Sequence, residues 1–373
     1  IEGSRRIVCT GDWSPKEGPG KAPAIPIVQV SYSNGREILR RWGSKAYLVI
    51  ENSYVRESTG YIVEGTLHCN NENECILITS HHDHWLSGIS DNLVGVSVMI
   101  LISKLLKIRN KIDKCVKVLS FTAEESGAPN YSSWYWIYGS RVYSKVYRDS
   151  ITTVINFDTL AKGEEICVSG TPDITHLVES IANSLSIKVA TNFDQPIFDS
   201  FSFTLLGISS CTFNTFNEVL ESYVYHSDLD TLDFIDKNTI INAIVLSLKL
   251  LDRLVSNEYS PMPRADRWLE YIFENIGTLN LPIELIDSLY RMYRLSKTIN
   301  RSSYAKVITS TLINKVIKPI IWGGYRHLGN REEVKILPWN EALLRNEWYE
   351  IVFEGLVEPP AYVDIRNYIT KRN

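Results

Sequence analysis

Residues 76–95 read Ile76-Leu77-Ile78-Thr79-Ser80-His81-His82-Asp83-His84-Trp85-Leu86-Ser87-Gly88-Ile89-Ser90-Asp91-Asn92-Leu93-Val94-Gly95. An apolar strand over 76–79 runs directly into three of the chain's seven histidines. A long apolar helix, from about 92 to 108, follows. In an open α/β sheet, functional groups collect at the carboxyl ends of strands. A strand ending in His-x-Asp is therefore well placed to present a metal ligand, His81, with Asp83 holding the imidazole by an outer hydrogen bond. A solvated loop that happens to carry histidines is the competing reading. Asp91 opens the helix, where it can act as an N-cap or as a carboxylate shared between two ions.

The same pattern recurs outward from this stretch. A second apolar strand, 116–121, ends in Thr122-Ala123-Glu124-Glu125. Two adjacent acids at the end of a buried strand repel each other unless a cation is near. One can ligate a metal while the other takes a proton from water. A third strand, 152–156, leads into Phe157-Asp158-Thr159. Further on, Tyr223-Val224-Tyr225-His226-Ser227 precedes Asp228, Asp230 and Asp233. Imidazole and carboxylate donors suit zinc, with Co2+ or Mn2+ as substitutes. A carboxylate bridge suits two ions roughly 3.5–4 Å apart.

Strand-like runs at 46–50, 61–67 and 208–213 join those three strands, and helices at 174–185 and 239–255 join the first. Alternating strands and helices predict a three-layer αβα domain with a mixed, largely parallel central sheet. Prolines and glycines punctuate the first 40 residues. Gly20-Lys21 is followed by Ala22 and does not make a phosphate loop. Beyond Ser260-Pro261-Met262-Pro263 the composition turns helical, with runs at 267–276, 282–295 and 304–317. The expected division is an N-terminal segment over 1–44, a catalytic domain over 45–258 and a C-terminal helical domain over 259–373. In that last part, Trp322-Gly323-Gly324-Tyr325-Arg326-His327 reads as a turn.

The 373 residues suit two or three domains. Hydrophobic residues at 44% and charged residues at 22% are ordinary globular values, which excludes a disordered tail, a fibre or a coiled coil. The net charge of −4, from 39 basic and 43 acidic residues, leaves no excess to neutralise a phosphate backbone, so no nucleic-acid partner is expected. The apolar run near 94–106 is broken by Ser97, Ser103 and Lys104 and reads as too short for a membrane span. With no leader visible, a cytoplasmic setting is the expectation, although the chain opens on Ile1. The six cysteines form no CxxC. Cys69 and Cys75 flank a polar turn over 70–74, where a hairpin would let them face each other as a disulfide or as two free thiols.

Taken together, these segments resemble the co-catalytic zinc peptidase family of bacterial leucyl aminopeptidase, glutamate carboxypeptidase and the transferrin receptor. The matching pieces are Ser80 to Trp85, Gly88 to Gly95, Phe121 to Gly127, Asn156-Phe157-Asp158 and Tyr225-His226-Ser227, in the family's order across about 45–255. The ten-residue step from His81 to Asp91 fits the branch of the receptor and the carboxypeptidase. Residues 25–30 resemble the end of a protease-associated domain, and the helical tail has a loose counterpart in that branch. The resemblance implies two zinc ions per chain, one on His81 and Asp158, the other on Glu125 and His226, with Asp91 between them. It implies Glu124 as general base, Asp83 as the group that orients His81, and Tyr225 as donor to the oxyanion. It also implies a cis peptide bond at Asp91-Asn92.

An insertion departs from the family pattern. Residues 128–138 carry Tyr131, Trp134, Tyr135, Trp136 and Tyr138 before Gly139-Ser140-Arg141. They suit an aromatic pocket wall or a packing surface equally. The chain has no arginine between Arg148 and Arg253, the interval that holds two of the ligand segments. A carboxypeptidase needs a forked donor for the free carboxylate, so the expectation is an aminopeptidase acting on peptides, with a helical domain that either covers the active site as a lid or forms a homodimer. A carboxypeptidase-type enzyme, a metal-free receptor-like binding protein and a single-zinc acyl transferase resembling glutaminyl cyclase stay open as alternatives.

Overall fold

Each residue of the strand Cys75–His81 is buried, because the strand feeds two cores at once. Ile76 and Ile78 enter one apolar cluster, while Cys75 and Leu77 enter another. This is the period-two alternation of a strand covered on both faces. The computed structural model of the chain describes residues 28–51, 59–69, 71–72, 74–108, 112–125, 137–195, 197–256, 265–274 and 283–299, and the short pieces 12–14, 18–21, 309, 312–313, 325–327 and 334–336.

In chain order the elements are β1 (Asp12–Ser14), β2 (Gly18–Lys21), α1 (Tyr32–Arg40), β3 (Val63–His68), β4 (Cys75–His81), α2 (Val94–Ile108), β5 (Cys115–Phe121), α3 (Tyr138–Tyr147) and β6 (Ile151–Phe157). There follow β7 (Ile166–Gly170), α4 (Pro172–Leu185), β8 (Val189–Phe193), α5 (Ser200–Thr204), β9 (Ser209–Asn214), α6 (Phe216–Glu221) and α7 (Lys237–Leu254). The helices α8 (Ala265–Glu274) and α9 (Ile283–Ile299) and the strands β10 (Tyr325–His327) and β11 (Val334–Ile336) complete the set. The central sheet has seven strands in the order β3-β5-β4-β6-β9-β7-β8. The inner pairs β5–β4, β4–β6 and β6–β9 are parallel, as is β7–β8. β3 runs antiparallel to β5, and β7 antiparallel to β9. β1 with β2, and β10 with β11, form separate two-stranded ribbons.

Helices α2, α4 and α7 cover one face. Val98, Ile102 and Leu106 of α2 meet Ala243, Leu246, Leu250 and Leu254 of α7 over Ile76, Val116 and Ile155. The spacing of three and four residues keeps each apolar set on one helical face, and each buried Leu or Ile contributes about 1.5–3 kcal/mol. Asp236 caps α7 by accepting the Thr239 amide at 2.8 Å. The other face carries Tyr143 of α3 and Phe203 of α5 against Leu77, Leu119 and Phe121. The mixed, mostly parallel sheet between two helical layers is the architecture expected from the sequence. Helices α8 and α9 follow it. Trp268 of α8 stacks on Phe193 of β8 at 4.9 Å, and Phe273 of α8 meets Tyr290 and Tyr293 of α9 edge-on.

Several local expectations change. Residues 46–50 form no strand. Tyr47, Leu48 and Val49 are exposed, and apolar character alone does not supply a sheet partner. β7 and β8 were not anticipated. The turn 70–74 does not close a hairpin, because β5 lies between β3 and β4. Cys69 is therefore bonded to Cys115, and Cys75 is a free thiol. The turn Ile89–Leu93 and α2 together make a 20-residue apolar run that could cross a bilayer by length and composition, longer than expected; half of its most apolar window is buried inside the protein, as in a core helix. The aromatic run 128–136, residues 322–324 and most of 304–317 lie outside the described residues, while residues 325–327 of the expected turn form the strand β10.

Candidate metal centre

The carboxyl ends of β4, β5 and β6 come level because these strands are parallel and in register. His81 pairs with Phe121, and Thr79 with both Leu119 and Asn156. Below the site, buried polar side chains lock this level. Thr79 donates to Asn156 at 2.8 Å, Asn156 donates to Thr212 at 3.1 Å, and Thr212 shares a hydrogen bond with Ser200 at 2.7 Å. His81 ends β4, Glu124 and Glu125 follow β5, Asp158 follows β6, and His226 arrives from the segment after α6. Backbone at Ala123, Thr159 and His226 lies in the left-handed region, with φ of 52°, 45° and 52°. Non-glycine residues enter that region only when their surroundings impose it, and such strain clusters at functional sites.

Asp91 lies at the centre. One of its oxygens is 3.3 Å from His81 Nε2 and the other is 3.4 Å from His226 Nε2. His81 Nε2 is also 3.4 Å from Asp158, and His226 Nε2 is 2.9 Å from Glu125. Two donor groups result, His81 with Asp91 and Asp158, and Asp91 with Glu125 and His226, each with its donor atoms within 4.8 Å. All five side chains are buried. Glu124 stands 3.9 Å from His81 Nε2. The Asp91–Asn92 peptide bond is cis.

The loop that carries Asp91 is held from three sides. Asp230 accepts the Ser90 amide at 2.7 Å and the Asp91 amide at 3.3 Å. Asn92 donates to the Phe157 carbonyl at 2.9 Å. Gly95 lets α2 approach the strand ends closely: a Cβ there would lie 2.1 Å from Asn92 Oδ1 and 2.7 Å from the Phe157 carbonyl. Asp83 acts through two different groups. Its carbonyl accepts His81 Nδ1 at 2.9 Å, and its carboxylate accepts the amides of Glu124 at 3.2 Å and Glu125 at 3.0 Å. With Nδ1–H committed, His81 presents a lone pair at Nε2. Tyr225 stacks on the His226 ring at 3.7 Å, and Trp85 meets that ring edge-on at 6.4 Å.

Electrostatics tests whether these residues suit cations. Burial pushes Glu124 well up, with Asp158, Glu125 and Asp199 adding to the effect against His81. Burial and Asp91 push Glu125 up to about 7 against His226. Asp158 is raised in the same way by burial and Asp91. Burial alone would lower His81, but Asp158 and Glu124 hold it well above its usual value. Asp91 is lowered despite burial, by the neighbouring His226 and His81 imidazoles. This much buried negative charge is stable only with protons or cations among it. His81 Nε2, fully buried, makes no well-formed hydrogen bond. The two groups of three, with one carboxylate shared, consist of buried imidazole and carboxylate donors, the donor types that zinc takes.

Sequence reasoning missed two carboxylates in their roles. Asp230 appears there only as one of three acids after His226, with no sign that it clamps the Asp91 loop. Asp199, at the start of α5, was not singled out at all. Its side chain is fully buried with both oxygens outside hydrogen-bonding geometry, although the nearby Ser140 hydroxyl favours its charge. Burial raises Asp199 to about 7, with Asp158 and Asp83 adding and His81 opposing. Neither acid lies in a spacing pattern that distinguishes it from an ordinary surface residue.

The profile described as "Peptidase family M28" matches residues 63–251. No curated protein matches the chain significantly. Among solved structures, the zinc aminopeptidase BSAP from Bacillus subtilis aligns at 21% identity with a TM-score of 0.44, covering 52% of this chain and 50% of that one. The LapA aminopeptidase of Legionella pneumophila aligns at 14% identity and a TM-score of 0.43, over 52% of this chain and 59% of that one. Porphyromonas gingivalis glutaminyl cyclase aligns at 18% identity and a TM-score of 0.42, over 51% of this chain and 76% of that one. The chain thus spans about half the length of the first of these relatives.

Proposed function

The chain belongs to peptidase family M28, and from that premise we propose that it is a zinc-dependent exopeptidase, an aminopeptidase that removes residues from the free amino end of peptides. In this reading His81 and Asp158 hold one ion, Glu125 and His226 hold the other, and Asp91 is shared. Co2+ or Mn2+ substitute for zinc. When bound, the two ions supply Lewis acidity to a substrate carbonyl and to a water. The observation that carries the reading is Asp91, whose two oxygens face two histidines of two separate donor groups.

The chain's own residues have separate tasks. Glu124 takes a proton from the attacking water and returns it to the leaving amine. The Asp83 carboxylate fixes the Glu124 and Glu125 backbone through two amides, and its carbonyl sets the His81 tautomer. Tyr225 donates a hydrogen bond to the oxyanion of the tetrahedral intermediate. The absence of arginine between Arg148 and Arg253 supports the amino end over the carboxyl end, because no forked donor lies in that interval to receive a free carboxylate.

Hydrolysis of aminoacyl-p-nitroanilides by the zinc-loaded chain tests this, with Glu124→Gln alongside. The expected result is turnover of the parent and a loss of about 10²–10⁴-fold in kcat for the variant, at unchanged metal content. Two bound metals with cleavage only of substrates carrying a free carboxyl end would replace the aminopeptidase by a carboxypeptidase. One bound metal would favour the cyclase-like reading, and none at neutral pH a binding protein.

A further inference from the structure

Three cysteines meet at the end of the sheet opposite the metal centre. Cys75 opens β4, Cys115 opens β5, and Cys69 directly follows β3. Six residue-to-residue steps along β4 take Cys75 to His81, about 20 Å. β5 lies between β3 and β4. Cys115 stands opposite Cys75 in the parallel ladder, and His68, the residue before Cys69, pairs with Val116, the residue after Cys115. The three sulfurs lie within 4.8 Å of one another. Cys69 and Cys115 are bonded. Cys75 is a buried free thiol whose Sγ donates to the Glu72 carbonyl at 3.3 Å.

We propose that Cys69, Cys75 and Cys115 form a thiol–disulfide exchange site. The Cys75 sulfur attacks Cys115 Sγ, the Cys75–Cys115 bond forms, the Cys69–Cys115 bond breaks, and Cys69 leaves as a thiolate. Cys75 gives up one proton and Cys69 takes one, so no oxidant or reductant is consumed. Burial raises the Cys75 thiol, with Glu72 and Glu64 adding to the effect and the Lys117 ammonium, ion-paired to Glu64 at 2.8 Å, opposing it. The two bonds close loops of similar length, so chain entropy does not strongly prefer either. Their consequences differ. The Cys69–Cys115 bond ties the edge strand β3 to β5, whereas the Cys75–Cys115 bond ties β4 to β5. The second frees Cys69, the partly exposed member of the three, for reaction with small thiols and disulfides.

Disulfide mapping tests this in the full-length, zinc-loaded chain after equilibration in reduced and oxidised glutathione at pH 8, acid quench and alkylation. The expected peptide map contains both the Cys69–Cys115 pair with Cys75 alkylated and the Cys75–Cys115 pair with Cys69 alkylated. Cys75→Ser removes the second pair and keeps the first, and Cys69→Ser shows the second pair alone. A parent map with Cys69–Cys115 as the sole bond overturns the proposal, as does a parent with three alkylated thiols. A Cys69→Ser chain that keeps Cys75 and Cys115 as separate alkylated thiols also overturns it.

Discussion

Asp230 contacts none of the five proposed metal ligands through a side-chain donor, yet it receives the amides of Ser90 and Asp91 at 2.7 and 3.3 Å. That clamp sets where the Asp91 carboxylate points. Groups that orient a ligand typically change metal affinity about 10–100-fold when removed. Asp230→Ala is expected to weaken zinc binding by that amount in a chelator competition, and an unchanged affinity would show that the loop holds its shape without the clamp. At this scale the sequence was most legible where chemistry restricts residue type. Histidine and paired acids at the ends of apolar strands have few structural uses, so His81, Asp91, Glu124, Glu125, Asp158 and His226 stand out before any coordinates are known. The supporting residues do not. A carboxylate that caps two amides, as Asp230 does, resembles any polar loop residue. The dual use of Asp83, carbonyl to His81 and carboxylate to two amides, depends on backbone direction, which no spacing rule conveys.

The junction of α2 with the strand ends is the most tightly built element of the site. Gly95 sits where any side chain meets Asn92 and the Phe157 carbonyl. Gly95→Ala is expected to destabilise the fold by about 1–3 kcal/mol, since a backbone carbonyl cannot step aside without moving β6. Urea unfolding measures this directly, and a midpoint equal to the parent's would mean that the helix start relaxes freely. The inner strands β4, β5 and β6 were legible because burial on both faces makes them continuous apolar runs. β7 and β8 were not, being five residues each and mixing Ser, Thr and Asn with a few apolar positions. Residues 46–50 illustrate the reverse error, since they carry the apolar pattern of a strand but remain unpaired, with Tyr47, Leu48 and Val49 exposed. Pairing partners come from topology, and topology also decided that Cys69 meets Cys115 rather than Cys75.

At the scale of the whole molecule, the buried acids tie stability to pH and to metal. Glu125, Asp194 and Asp199 are each raised to about 7, foremost by burial. The folded chain binds these protons more tightly than the unfolded chain does. Their contribution is therefore full below the ordinary carboxyl range and is lost as pH rises through about 7. His81, held above its usual value, adds a loss in the same direction as pH rises through its folded value, while the lowered Asp91 opposes it only in acid. The metal-free protein is expected to melt at least about 5 °C higher at pH 5.5 than at pH 8. Zinc should reverse that order, because it binds the deprotonated acids. A metal-free melting temperature that rises from pH 5.5 to pH 8 would contradict the assignment. The central claim is that one buried carboxylate joins two ion sites, and calorimetric titration of zinc into the metal-free chain, beside Asp91→Asn, tests it most directly. The account predicts two zinc ions per chain in the parent and the loss of at least one site in the variant. A parent that binds a single ion, or an Asp91→Asn chain that still binds two with parental affinity, would contradict it.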